Sequence, residues 1–408
     1  MATENNNKSL NVPNKGEQSQ TRLGYADRAE QSPQGNVPNL RFPEFSGEWE
    51  RCTLGDVTTN FSRRNKEEIR YPMFSVTNNR GFVPQSEQFE DREMVGEDIK
   101  AYKIIHKNDF AYNPARINVG SIAKYNGDEP CMISSLYVCF TADKRIDNEW
   151  LMQLLKTPKM NFYYNINGEG GVRVYLFYPN FARIRTAFPS VEEQKKISAF
   201  LSLLDDRIAT QIKIIEDLKK LKSAISNEIF EHDSNRKCEL KEIASVIMGQ
   251  SPSSLAYNNN AVGLPLVQGN LDIGDGQLIP RVYTSETTQK CKCGDVILTV
   301  RAPVGEIAIA QQEACIGRGV CSIRPHENDY TNLLYQFLQY FKPKWAALEQ
   351  GSTFTAVSGT GIRGISVSIP TTDKIQLLDA YDNKIVVESS TLTNLHLQKQ
   401  YLLAQMFM

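Results

Sequence analysis

The chain has 408 residues, a formal net charge of -1 and a hydrophobic fraction of 41%. That length accommodates two or three domains, each with its own core. The charge argues against a protein that coats nucleic acid by bulk positive charge and leaves binding by local patches open; the hydrophobic fraction argues against general disorder, and no run approaches the roughly 18 apolar residues of a membrane span.

Residues 1–38 are rich in Asn, Gln, Ser, Lys and Gly, lack apolar periodicity, and read as a flexible leader. No apolar signal-peptide core is present. The eight cysteines lie scattered, several in apolar runs, as reduced thiols do, and the protein reads as cytoplasmic.

The next segment, 39–190, is rich in short β-branched and aromatic runs such as 134–140, bounded by Gly, Pro and Asn, with a helix expected near Asn148. A long helix is expected over 191–232. Its apolar residues Ile197, Leu201, Leu204, Ile208, Ile215, Leu218, Ile225 and Ile229 alternate in steps of four and three, a coiled-coil seam interrupted by Gln211 and Lys222. A second β-rich segment, 237–370, contains strand-like runs at 296–300 and 306–310 and a helix near Tyr330. A second long helix is expected over 373–408, with seam residues Leu378, Tyr381, Ile385, Leu392, Leu395, Leu402 and Met406, interrupted by Glu388 and Lys399.

The chain is therefore an internal repeat. The polar interruptions at Gln211 and Lys222 recur 177 residues later as Glu388 and Lys399. Shared defects carry more weight than shared leucines, because any seam selects leucine. A strand ending in proline precedes each helix, and residues 52–57 match 238–243. The expected fold is α+β, two β-rich globular domains in pseudo-two-fold repeat, separated by two long helices forming an antiparallel coiled coil. Facing residues in such a pair have a constant sum of residue numbers. A sum of 610 sets Lys222 opposite Glu388, Gln211 opposite Lys399, Ile208 with Leu402, Ile215 with Leu395, Leu218 with Leu392 and Ile225 with Ile385. A 40-residue helix is about 60 Å long, against roughly 34 Å for a turn of DNA, so the pair suits a spacer between two sites on one duplex.

The start LRFPEFSGEWERCTLGDV, the string FPSVEEQKKISAFLSLLDDRI, its weaker copy IPTTDKIQLLDAYDNKI and the run VRAPVGEIAIA resemble the specificity subunits of type I restriction-modification systems, over nearly the whole chain from residue 39. The second copy has Thr372-Asp373-Lys374 in place of the EEQ triplet. The resemblance implies two target-recognition domains, each reading one half of a split, asymmetric sequence in double-stranded DNA. It implies helices that set the gap and bind two methyltransferase (modification) subunits, which methylate adenine with their own S-adenosylmethionine. It implies further ATP-dependent restriction subunits that translocate and cleave DNA. This chain would then be a non-catalytic subunit with no cofactor or metal of its own.

The motifs agree with that division. No Gly-Lys dipeptide, and hence no glycine-rich phosphate loop, occurs. Asn113-Pro114-Ala115-Arg116 lacks the second proline and the aromatic of an amino-methyltransferase motif and reads as a loop. The four histidines are dispersed, and Cys291-x-Cys293 with Cys315 and Cys321 departs from zinc spacing and reads as free thiols. The side chains suited to base edges are Arg, Lys, Asn, Gln and Ser on loops. In the first domain these are Arg63, Arg64, Lys66, Thr77, Asn78, Asn79, Arg80, Arg116, Asn118 and Arg173. In the second they are Gln250, Ser251, Ser253, Ser254, Gln268, Asn270, Arg301, Arg318 and Arg363. Any single one is more often a solvated surface residue or a phosphate contact than a base reader. Two other functions stand beside this one: a non-catalytic coiled-coil protein-binding adaptor, and a self-sufficient DNA methyltransferase or nuclease, which the missing motifs disfavour. A silent donor of recognition domains has the same sequence as an active subunit.

Overall fold

The computed structural model describes residues 35–87, 99–170, 174–232, 236–348 and 356–407. The chain divides into two compact units, Met1–Arg207 with Leu395–Met408, and Ile208–Asn394. Each division falls inside a long helix, Val191–Asn227 and Thr372–Met406.

The strands of the first unit are β1 (Glu50–Thr53), β2 (Thr58–Phe61), β3 (Phe74–Thr77), β4 (Gly81–Pro84), β5 (Lys103–Ile105), β6 (Phe110–Tyr112), β7 (Ile122–Lys124), β8 (Cys131–Ile133), β9 (Val138–Ala142) and β10 (Arg185–Phe188). Its main sheet has the order β2-β9-β6-β7, all antiparallel. The pairs β1–β10, β3–β4 and β5–β8 complete it, and a parallel bridge joins Met73 to Met132.

The strands of the second unit are β11 (Lys237–Glu239), β12 (Ala244–Met248), β13 (Tyr257–Asn258), β14 (Leu264–Val267), β15 (Ile273–Gly274), β16 (Gln277–Leu278), β17 (Val282–Thr284), β18 (Lys290–Cys291), β19 (Val296–Thr299), β20 (Ile307–Ile309), β21 (Ala314–Ile316), β22 (Val320–Pro325) and β23 (Ser366–Ser368). One sheet runs β12-β22-β19-β20-β16-β15, the other β13-β17-β14-β21-β18, and β11 pairs with β23.

The two skeletons coincide. The order β12-β22-β19-β20 repeats β2-β9-β6-β7, and β16 and β15 are additions at one edge. The parallel pairing of β14 with β21 repeats the Met73–Met132 bridge, and β18–β21 repeats β5–β8. Local chemistry repeats too. β1 and β11 each lead into a one-turn helix, Leu54–Val57 and Leu240–Ile243, and in both the carboxylate three residues on, Asp56 or Glu242, accepts from the N–H of the residue before the helix, Thr53 or Glu239. The Asp109 carboxylate accepts from the His106 N–H, and that of Asp295 from the Lys292 N–H. Both turns need a left-handed residue just before the aspartate, supplied by Asn108 (φ 71°) and Gly294 (φ 87°).

Burial follows the pattern. Val296–Thr299 is buried at every position, as a strand covered on both faces must be, so it is a continuous apolar run rather than an alternation. In the second unit one core joins the sheet to Leu333, Leu334, Phe337 and Leu338 of the helix Tyr330–Phe341, and to Ile229, Phe230, Ile375 and Leu378 of the long helices. In the first unit Trp150, on the helix Asn148–Leu155, packs against Trp49, Phe188 and Phe407 at ring separations of 5.4 to 6.1 Å. Each such aromatic stabilises its unit by several kcal/mol, on the order of 3–5 relative to alanine.

The first long helix continues as a π turn, Glu228–His232. Every expected seam position on it is buried or half-buried, including Gln211 and Lys222. The same holds for Leu378, Tyr381, Ile385, Glu388, Leu392, Leu395, Lys399, Leu402 and Met406 on the second helix. The register is not the one expected. Lys222 Nζ donates to Asp382 Oδ1 at 2.6 Å and to Gln339 Oε1 at 2.7 Å, not to Glu388. Gln211 Nε2 donates to Glu388, and Lys399 Nζ to Asp205. Asp382 precedes Glu388 by about 9 Å along the helix. The acid that each lysine uses sits beside the seam, next to Tyr381 or Leu204, where the flexible lysine stem reaches it. The hydrogen bonds from Lys384 and Gln211 hold the Glu388 carboxyl below the usual carboxylate range.

Candidate nucleic-acid interface

In the second unit, five of the candidate residues line one cleft of about 440 Å³: Ser251, Gln268, Asn270, Arg301 and Arg318, with the backbone of Gly269 and Gly319. They come from four separate chain segments. Ser251 follows β12, Gln268 and Asn270 follow β14, Arg301 follows β19, and Arg318 precedes β22. The strand order of the sheets thus brings four loops to one place.

Glycines permit the closeness. A Cβ at Gly319 would lie 1.9 Å from the Gln268 carbonyl oxygen, and one at Gly249 would lie 2.1 Å from the Gly317 carbonyl oxygen. The turn carrying Arg318 is tied down on both sides, because the Gly317 N–H donates to Val267 O and the Arg318 N–H to Ser251 Oγ. Asp272, 3% exposed, accepts from the N–H groups of Gln268 and Gly269 and from Arg281 Nε, which fixes the turn holding Asn270. The guanidinium groups of Arg301 and Arg318 are exposed and make no hydrogen bond or ion pair among the described residues. Two unpaired cations beside amide and hydroxyl groups suit an anionic partner that also offers donors and acceptors, as phosphates and base edges do.

The other second-domain candidates lie elsewhere. Gln250 is held by its backbone, its N–H donating to Ile316 O. Ser253 caps the exposed turn Ser254–Ala256. Arg363 Nη2 donates to Val246 O across the start of the sheet at 3.2 Å and does not line the cleft.

In the first unit the candidates form two groups. Thr77, Asn78, Asn79 and Arg80 make the tip between β3 and β4, closed by the Thr77 hydroxyl, which donates to Gly81 O and accepts from the Arg80 N–H. That tip abuts the loop of Arg116 and Asn118. A Cβ at Gly120 (φ 99°) would lie 2.9 Å from Asn78 O, so this turn requires glycine on both counts. Asn118 Nδ2 donates to Asn165 Oδ1 of the helix Pro158–Asn167, and the Leu176 N–H donates to Pro114 O. Exposed Arg80 pairs with Glu87. Arg64 and Lys66 are exposed beside β2. Arg63 differs: its Nη1 donates to Asp109 Oδ2 at 2.8 Å and its guanidinium lies over the Phe61 ring, so it braces the sheet. Arg173 lies outside the described residues.

The sequence did not single out Tyr257, Asp272 or the glycines at 317 and 319, which hold the cleft together. The Gly-Arg-Gly string at 317–319 was a usable sign, because glycines on both sides of an arginine mark a turn in close backbone contact. Cys291 and Cys321 are free and buried, and burial pushes their thiols up to about 11 and about 12, against thiolate chemistry. No described helix is long and apolar enough to cross a membrane.

Comparison with known proteins accords with this geometry. The family described as the type I restriction modification DNA specificity domain matches residues 46–220 and again 233–396. A chain described as a type I restriction enzyme MjaX specificity subunit, from Methanocaldococcus jannaschii, is 27% identical over 367 residues, covering 82% of this chain and 86% of its own length. The MjaVIII specificity subunit of the same organism is 23% identical over 400 residues, covering 86% and 89%. Among solved structures, a chain from work on complex assembly and conformational transition of the type I R-M system superposes with a TM-score of 0.63 at 22% identity, over 88% of this chain and 97% of that one. A type I S subunit from M. genitalium gives 0.57 at 15% identity, over 91% and 99%. Those two likenesses concern the fold. With the family matched twice along most of its length, this chain belongs to the type I restriction-modification DNA specificity family, and its role is DNA recognition.

Proposed function

We propose that the chain reads a bipartite, asymmetric DNA target, one half with each β-rich domain, and directs adenine methylation and restriction by partner subunits that carry the chemistry. The observation that carries this reading is the convergence of Ser251, Gln268, Asn270, Arg301 and Arg318 on one cleft. Loops at corresponding places in the first unit carry Asn78, Asn79, Arg80, Arg116 and Asn118. Phosphate contacts from arginine position a protein on a duplex, and amide or guanidinium contacts to base edges specify sequence. The domains in this reading are 39–190 and 237–370, after a leader at 1–38, and the helices at 191–232 and 373–408 set the gap.

Partner binding is supported by apolar side chains that the helices leave exposed, among them Leu203, Ile212, Leu221, Val386, Leu397 and Tyr401. Large apolar side chains left exposed along a helix are what a docked partner would cover. Two methyltransferase subunits, and beyond them ATP-dependent restriction subunits, are the partners expected.

The experiment is to co-express the chain with its neighbouring methyltransferase subunit and map adenine methylation across the host genome. One split motif, with a modified adenine in each half and a fixed gap, supports the reading. A well-formed complex without a motif refutes it.

A further inference from the structure

Within the cleft one side chain has an orientation that hydrogen-bond logic fixes. Tyr257 has a single hydroxyl proton, and its OH donates to Pro252 O at 3.3 Å. A carbonyl oxygen can only accept, so with that bond made the tyrosine oxygen has only lone pairs left to offer. Gln268 and Tyr257 are joined by a 2.9 Å hydrogen bond, in which the tyrosine oxygen must then be the acceptor and Gln268 Nε2 the donor. The amide therefore turns its nitrogen toward Tyr257. Among the described residues no group takes its Oε1 or its second N–H. The backbone beneath is equally fixed, because the Gln268 N–H donates to the buried Asp272 carboxylate at 2.8 Å.

An amide held in this way offers an acceptor and a donor side by side. Among base edges in the major groove, adenine alone places a donor (N6–H) next to an acceptor (N7). Guanine offers two acceptors, cytosine a donor alone, and thymine an acceptor beside a methyl group. We infer that Gln268 reads an adenine in the half-site taken by the second domain, and that Tyr257 is its positioning residue. This rests on the proposed DNA-reading function. It goes further by naming a residue, a base and the device that sets the preference.

The test uses the complex of the full chain with its methyltransferase subunit. In the wild-type motif the half assigned to the second domain contains an invariant A·T pair besides the one whose adenine is methylated. Gln268→Ala makes that one position degenerate and leaves the other half intact, which also shows that the chain is folded. Gln268→Glu, a pure acceptor, moves the preference there from adenine toward cytosine. Tyr257→Phe frees the amide to rotate and relaxes the same position. On a duplex carrying the motif, 7-deazaadenine at that position weakens wild-type binding by about 5- to 100-fold, and causes no further loss with Gln268→Ala. An unchanged motif in the Gln268→Ala and Gln268→Glu complexes overturns the inference, as does degeneracy at a position that is not A·T. A wild-type complex without any motif instead refutes the DNA-reading function itself.

Discussion

Lys222 donates from Nζ to Asp382 Oδ1 at 2.6 Å, and the residues 177 positions away from each of them, Lys399 and Asp205, make the same bond. One ion pair therefore occurs twice, once in each unit, with the lysine and acid on exchanged helices. Gln211 and Glu388, also 177 apart, bond to one another. Polar groups of this kind fix register, because any slip leaves a charge without its partner.

Truncation of Lys222 follows from this. Lys222 is 7% exposed, and Lys222→Ala leaves Asp382 and Gln339 without their cation. A loss of about 3 kcal/mol is expected, measured by urea unfolding. In a double-mutant cycle with Asp382→Ala the coupling should be about 1–3 kcal/mol. Strict additivity would show that the pair does not set the register.

Glu388 gives a pH dependence of known sign. Its carboxyl is held below the usual range by Lys384 and Gln211. A lowered folded-state pKa contributes stability that is present above the unfolded value and is lost as pH falls through the folded value. The stability difference between the wild type and Glu388→Gln should hold steady at neutral pH and shrink below about pH 4. A gap independent of pH contradicts this.

Arg63 behaves as part of the scaffold. Its partner Asp109 is buried and the arginine itself is partly exposed. Arg63→Ala should cost about 1–2 kcal/mol of stability, discounted for that exposure, and should leave the recognised sequence unchanged. A changed motif with unaltered unfolding would place Arg63 on the DNA instead.

Gly319 is a steric requirement of the cleft. With the Gln268 carbonyl oxygen 1.9 Å from where a Cβ would stand, Gly319→Ala must push the two loops apart. The expected cost is about 1–3 kcal/mol, together with weaker DNA binding. Unchanged melting and binding would show that the loops give way freely.

Much of this architecture was legible in the sequence, for reasons that lie in particular residues. The seams are set by helical periodicity, and the repeat by defects at Gln211, Lys222, Glu388 and Lys399. The register was not legible. A heptad pattern pairs seam with seam equally well when one helix slides by a whole heptad, so periodicity cannot tell Asp382 from Glu388 as the neighbour of Lys222, nor Glu388 from Lys399 as that of Gln211. The cleft was half legible. Ser251, Gln268, Asn270, Arg301 and Arg318 stand out as polar loop residues, but their meeting depends on strand order, a long-range property. Arg63 and Arg363 look the same as Arg318 in sequence. They differ only because Asp109 and the Val246 carbonyl lie within their reach.

The most direct test removes both arginines of the cleft, Arg301 and Arg318. The chain with Arg301→Ala and Arg318→Ala, co-expressed with its methyltransferase subunit, is mapped for adenine methylation beside the wild type. One half of the split motif should degenerate, or methylation of the whole site should fall by about tenfold or more, while the sequence preference in the other half stays as in the wild type. Loss of sequence preference in both halves alike, or an identical motif methylated as fully as in the wild type, would contradict this.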